Sequence, residues 1–145
     1  MKNINLFVYG SLRESFFNYD KYLKGKVVKR YDAKLENMNL YHMPYKGYPA
    51  ITKGEDIVFG EIMIINENDY DETIKAMDEM EGFISENNPE NEYHKVILEV
   101  ENISTKEKEK CFVYFYNKEN DTIFTEQSVY IPNGDWKEYM LNKTK

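Results

Sequence analysis

Phe7-Val8-Tyr9-Gly10-Ser11-Leu12-Arg13 continues a short run of aliphatic and aromatic residues, Ile4 to Tyr9, that is almost without charge. The run reads as a buried strand, and Gly10 punctuates it, because glycine adopts unusual backbone angles without steric cost. Ser11 and Leu12 follow, so the chain turns where backbone N–H groups have no ladder partner. Successive free N–H groups at such a turn form a nest suited to a carboxylate or a phosphate. Read by itself, the same stretch is more simply an ordinary Gly-Ser turn.

Working outward, 145 residues with 41% apolar and 15% aromatic content suit one domain, 1–145, with a sizeable core, and exclude disorder. The net charge of −7 argues against nucleic acid and against an anionic membrane surface as partners. Arg13 and Arg30 are the only arginines, and Arg13 reads as an exposed surface residue beside the turn. Cys111 is the only cysteine and sits in the apolar run Cys111 to Tyr116, as a small buried hydrophobe would. With His42 and His94 the only histidines, a multi-histidine metal centre is excluded, and no metal is expected. Lys2, Asn3 and Asn5 break up any signal-peptide core, and no apolar run reaches spanning length, so the expected compartment is the cytoplasm.

Most of the elements are strands. Ser15 to Leu23 reads as a short helix, and Lys26 to Met43 as strand material. Pro44 to Pro49 is a loop by its prolines and glycine. Ile57 to Ile65 is a second buried strand, in which Gly60 marks a bulge or a close backbone approach. Tyr93 to Val100 and Lys110 to Tyr116 read as a hairpin, and Trp136 to Leu141 as a short C-terminal segment.

One helix is well marked. Asn66 or Asn68 can cap it, and Asp69, Asp71 and Glu72 suit the positive end of its dipole. Tyr70, Ile74 and Met77 form an apolar stripe, and the same spacing leads next to Glu81, before Gly82 as the terminating residue. A carboxylate thus projects from the core-facing side at the negative end of the dipole, where both burial and the dipole push its pKa up, and the same position equally reads as a glutamate at a fraying helix end that bends back into water. Asp78 and Glu79 fall off the stripe and read as solvated surface.

A nest for an anion and a carboxylate of raised pKa are two halves of an active site, and here the chain resembles the γ-glutamylcyclotransferase-like family. The resemblance rests on Val8-Tyr9-Gly10-Ser11-Leu12, Gly47-Tyr48-Pro49, Gly60-Glu61 and Met77 to Gly82, then Tyr93, Val113-Tyr114 and Gly134-Asp135-Trp136. These blocks stand in the family's order and cover nearly the whole chain. The resemblance implies an α+β fold, a mixed β-barrel of about five to seven strands with a few flanking helices. It implies Glu81 as the catalytic acid/base and Tyr9, Gly10, Ser11 and Leu12 as the loop holding the substrate's carboxylate end, with Tyr48 and Tyr114 in the substrate-binding set. Tyr114 is either an orienting hydroxyl or a core tyrosine with a satisfied OH. Two departures are Lys95, where the family's arginine is expected, and Met77 in place of leucine. Lysine lacks arginine's bidentate fork, so an ion pair there is looser.

The implied reaction needs no cofactor. The α-amine of a γ-glutamyl amide attacks its own γ-carbonyl, giving 5-oxoproline and a free amine, and a raised-pKa carboxylate carries the proton. The expected partner is a small-molecule γ-glutamyl substrate, on a monomer or homodimer. Two other readings stand beside it: a non-catalytic small-metabolite binding module using the same pocket, and acyl transfer or hydrolysis on a γ-glutamyl-like group.

Overall fold

The structure is a computed structural model that describes residues 3–10, 12–13 and 19–143. Its frame is one long hairpin. Strand β2 (Val27–Met43) turns at residues 44–47 and returns as β3 (Tyr48–Ile65), paired from Met43↔Tyr48 to Val27↔Ile65. The turn expected over Pro44 to Pro49 is therefore shorter, since Tyr48 and Pro49 already belong to β3. Gly47 closes it with φ +84°, a left-handed conformation costly for a residue with a Cβ. Proline is tolerated at the second position of a strand because the ladder there is only beginning.

Strand β1 (Asn5–Val8) lies antiparallel to β3, with Leu6 opposite Met63, and parallel to β5 (Lys108–Tyr116), with Leu6 opposite Phe112. Strand β4 (Tyr93–Asn102) forms the expected hairpin with β5, and its far end pairs with β2 at Ala33 and Lys34. The order β3-β1-β5-β4-β2 then closes on the β2–β3 pairing, giving a five-stranded mixed barrel. A sixth strand, β6 (Val129–Ile131), adds to the far half of β2 outside the ring. Helix α1 (Tyr70–Met80) follows β3 through a 3-10 turn capped by the Asn66 side chain. The short helix α2 (Phe124–Gln127) and the C-terminal helix α3 (Trp136–Lys143) complete the fold. Of the helix expected over Ser15 to Leu23, Tyr19–Leu23 is a single π-helical turn, and residues 14–18 lie outside the described residues. Among the described residues no helix is long and apolar enough to cross a membrane.

Strand alternation divides the interior in two. Phe7, Ala33, Val58, Ile62, Val100 and Val113 fill the barrel from all five of its strands. Leu6, Val8, Met63 and Tyr114, on the opposite faces, pack against Ile74 and Met77 of α1. Cys111 belongs to the barrel interior, where burial first and then Glu109 push its thiol up to about 12.

Two glycines in the motif blocks are there for close approach. A Cβ on Gly60 would stand 2.2 Å from the Val8 carbonyl oxygen and 2.8 Å from the Phe7 ring. A Cβ on Gly10 would stand 2.6 Å from the Pro49 ring. Gly10 is not among the residues with positive φ, so the expectation of an unusual backbone angle there gives way to a packing reason.

Arg13 corrects a second expectation. It is 7% exposed, and its Nε donates to Glu61 at 2.9 Å while Nη1 donates to Asp135 at 3.0 Å. Glu61 lies on β3 and Asp135 just before α3, so one guanidinium ties the segment after β1 to both ends of the chain's remaining frame. Leaving either partner buried without its charge complement is costly.

Gly60→Ala forces the β1–β3 pair apart where it cannot yield, because the obstacle is backbone. We expect a loss of roughly 1–3 kcal/mol or more, read as a lower Tm in thermal melts. A melting temperature unchanged by the substitution contradicts the packing account.

Candidate active site

Helix α1 ends by satisfying its own carbonyls. Gly82, at φ +69°, donates to the Glu79 carbonyl at 3.2 Å, and Phe83 donates to the Asp78 carbonyl at 2.9 Å. This is the paired Schellman arrangement, and it makes Glu81 the cap residue, with φ −82° and ψ −3°. The Gly82 carbonyl then accepts from Glu92 N–H at 3.0 Å, which brings the residue before β4 against the helix end. Two carboxylate-bearing residues, Glu81 and Glu92, consequently line one cavity.

That cavity has a volume of about 360 Å³, within the range that takes a small metabolite. One wall is the end of β1 and the following turn, with Tyr9, Gly10 and Leu12. Facing it are Met80 and Glu81 from α1, Tyr48 and Pro49 from β3, and Tyr93 and Tyr114 from β4 and β5. Lys46 and Glu92 stand together, Nζ to Oε2 at 2.5 Å, and Tyr48 donates to the same Glu92 oxygen at 2.9 Å. Of the residues expected at the site, Tyr9, Gly10, Leu12, Tyr48, Glu81 and Tyr114 come together here. Ser11 lies outside the described residues. The turn itself is closed by Arg13 N–H donating to the Gly10 carbonyl at 2.9 Å.

Glu81 is half-buried, and its carboxyl makes no hydrogen bond or ion pair among the described residues. Burial first, then the charge of Glu92, lift its pKa from 4.5 to about 8. Glu92 was not foreseen, since it sits in a polar stretch with no apolar period to place it. Lys46 was missed for the same reason.

Asp78 and Lys95 take different roles from those expected. Asp78 is half-buried rather than solvated, and accepts from the Tyr114 hydroxyl at 2.7 Å and from Lys95 Nζ at 2.9 Å. Lys95 also lies 4.7 Å from the Phe112 ring centroid. The residue standing where the family's arginine is expected thus holds a helix carboxylate, with Glu81 left alone. A single ammonium suffices because Tyr114 supplies the second donor. Tyr9 donates to the Tyr114 carbonyl at 2.6 Å and Tyr93 to the Pro49 carbonyl at 2.5 Å. Among the described residues no group of side chains is arranged to hold a metal ion.

Comparison with known proteins bears on this arrangement. Residues 6–138 match the family model described as gamma-glutamyl cyclotransferase, AIG2-like. The gamma-L-glutamyl-butirosin B gamma-glutamyl cyclotransferase of Niallia circulans is 29% identical over 137 residues, covering 94% of this chain and 78% of that one. A protein of Methanocaldococcus jannaschii named "Putative gamma-glutamylcyclotransferase" is also 29% identical, over 92% of this chain and 96% of its own. Among solved structures, an uncharacterized protein of Pyrococcus horikoshii superposes with a TM-score of 0.63 at 22% identity, over 98% of this chain and 97% of that one. That likeness concerns the fold.

The raised pKa of Glu81 has a consequence for stability. Between the unfolded value near 4.5 and the folded value near 8, the folded protein keeps a proton that the unfolded chain has lost. Stability from this group is therefore whole below pH 4.5 and is lost as pH rises through 8. Glu81→Gln removes the penalty, so thermal melts should show the variant gaining on the native protein between pH 5 and pH 8.5 by several kcal/mol, at about 1.4 kcal/mol for each pKa unit of the shift. A variant less stable than the native protein at pH 8.5 would mean that the carboxylate is a structural partner.

Proposed function

The chain belongs to the gamma-glutamyl cyclotransferase, AIG2-like family, and from that membership we propose that it is an enzyme releasing 5-oxoproline and a free amine from a γ-glutamyl amide. The observation that carries the reading is the Glu81 carboxyl, unpartnered and lifted to about 8 within the cavity that also contains the turn after β1. The name of the Niallia circulans relative supports a γ-glutamyl group joined through its γ-carbonyl to an amine as the substrate class.

In this reaction the substrate supplies its own nucleophile. The α-ammonium loses a proton to ionised Glu81, and the freed nitrogen attacks the γ-carbonyl carbon. The new C–N bond closes a five-membered lactam, whose nitrogen gives up a second proton as the bond to the leaving nitrogen breaks. Glu81 relays the two protons in turn to that nitrogen, which departs as an ammonium, so no water, oxidant or second substrate is consumed. A carboxyl near 8 and an α-ammonium of similar pKa exchange a proton without a large energy step. Folding the flexible glutamyl chain into attack is the other requirement. We assign it to the turn at Gly10, Ser11 and Leu12, whose backbone N–H groups suit the substrate's α-carboxylate. The Arg13 ion pairs with Glu61 and Asp135 support this assignment by tying down the segment just after the turn.

A panel of γ-glutamyl amines and γ-glutamyl amino acids, assayed for 5-oxoproline, tests the reading. We expect product from at least one member, with kcat/KM rising through an acid limb near pH 8 that follows ionisation of Glu81 in the free enzyme. Glu81→Gln should lower kcat by about 10²-fold or more. No product from any member between mildly acidic and alkaline pH would turn the reading to a non-catalytic binding module.

A further inference from the structure

Four tyrosines line the cavity with Glu81, and the proton of every one of their hydroxyls is already committed. Tyr9 donates to the Tyr114 carbonyl, Tyr93 to the Pro49 carbonyl, Tyr114 to Asp78 and Tyr48 to Glu92. A phenol has one proton to give, and once it is given only lone pairs remain for a ligand. Burial first, with the charge of Glu81 among the later contributions, raises all four phenol pKa values, so each keeps the proton it donates. All four side chains line the same cavity as Glu81. None of them donates to it, and its carboxyl is left without a partner.

We propose that the four phenol oxygens and the Glu81 carboxylate form a cage of hydrogen-bond acceptors that binds the α-ammonium of the substrate and rejects γ-acyl ligands lacking it. The proposal rests on the reading of Glu81 as the group that takes a proton from that nitrogen. An ammonium brings three donors and a positive charge to a place that offers acceptors, a carboxylate and aromatic walls. A methylene in its place would leave those oxygens facing nothing. Three of the phenols cannot turn round to donate elsewhere without stripping a donor from a buried carbonyl or from Asp78. Tyr48 differs, because Glu92 keeps Lys46 if the Tyr48 proton leaves. The γ-carbonyl oxygen, which gathers negative charge during attack, finds no donor among Tyr9, Tyr93 and Tyr114, and must face the turn after β1 or Lys46.

Binding without turnover tests the cage. The Glu81→Gln protein, which loses the carboxylate but keeps the four phenol oxygens, is titrated calorimetrically at neutral pH with γ-L-glutamyl ethylamide and with glutaric acid monoethylamide, which keeps the α-carboxylate and lacks only the ammonium, so that the difference measures the phenols' share of the cage. We expect the second to bind at least about tenfold more weakly. Adding Tyr114→Phe or, separately, Tyr9→Phe removes one acceptor and should narrow the gap several-fold, weakening the ammonium ligand more than the monoethylamide. Two variants are used because each also removes an internal hydrogen bond, and circular dichroism confirms that the protein compared is folded. Equal affinities for the two ligands, or Phe variants that weaken both alike, overturn the cage. Those results leave 5-oxoproline formation by the native protein untouched, whereas absence of 5-oxoproline overturns the enzymatic reading with the ammonium preference still measurable.

Discussion

The hydrogen bond from Glu92 N–H to the Gly82 carbonyl, 3.0 Å long, joins the end of α1 to the entry of β4. Most of the site depends on that junction. Gly82 accepts the bond in a left-handed conformation, φ +69°, and the space a Cβ would need there is held by Glu92 Cβ at 2.9 Å. A carboxylate one position earlier or later in the chain would lie about 100° around the axis, on a different face. With the helix ended here, Glu81 lines the cavity, where burial first and then the charge of Glu92 raise its pKa. Asp78, one turn earlier, reaches Tyr114 and Lys95, so the same helix end is also bound to β4 and β5.

The polar groups around the cavity divide their work. Arg13, Glu61 and Asp135 satisfy one another beneath the turn after β1. Lys46 and Glu92 do the same at the mouth, and Lys95 and Asp78 behind Tyr114. Every cation named here is held by a carboxylate other than Glu81. A carboxyl denied both cation and donor keeps its proton to higher pH, and this is what suits it to proton transfer near neutrality.

Local pattern made part of this legible. The apolar spacing of Tyr70, Ile74 and Met77 leads to Glu81, and the glycine after it ends the helix as read. The charge-poor run before Gly10 is β1, and the polar turn at residues 102–106 joins a true hairpin. Contacts between distant residues were not legible. Arg13 looks exposed in sequence because its partners lie 48 and 122 residues away, and nothing near it in the chain announces burial. Asp78 looks solvated because it is off the stripe, yet a helix side chain off the core-facing line can still reach the adjoining strands of a closed barrel. The extent of β2 was legible, whereas β3 begins at Tyr48, nine residues before the Ile57 at which its apolar run starts. Asn37 sits in the left-handed region at the β2 bulge, and Gly54 leaves room for the Asn39 side chain. The tyrosines were visible as residues, but the direction in which each gives its proton is set by partners on other strands.

The account stands on a carboxyl that the protein leaves without donors. Carbon NMR of the Glu81 side-chain carboxyl in the ligand-free protein, assigned by its loss in Glu81→Gln and followed against pH, measures this directly. The account predicts a titration midpoint near 8. A midpoint near the ordinary 4.5 would contradict it, because Glu81 would then be an ionised, solvated group at neutral pH with no claim on the substrate's proton.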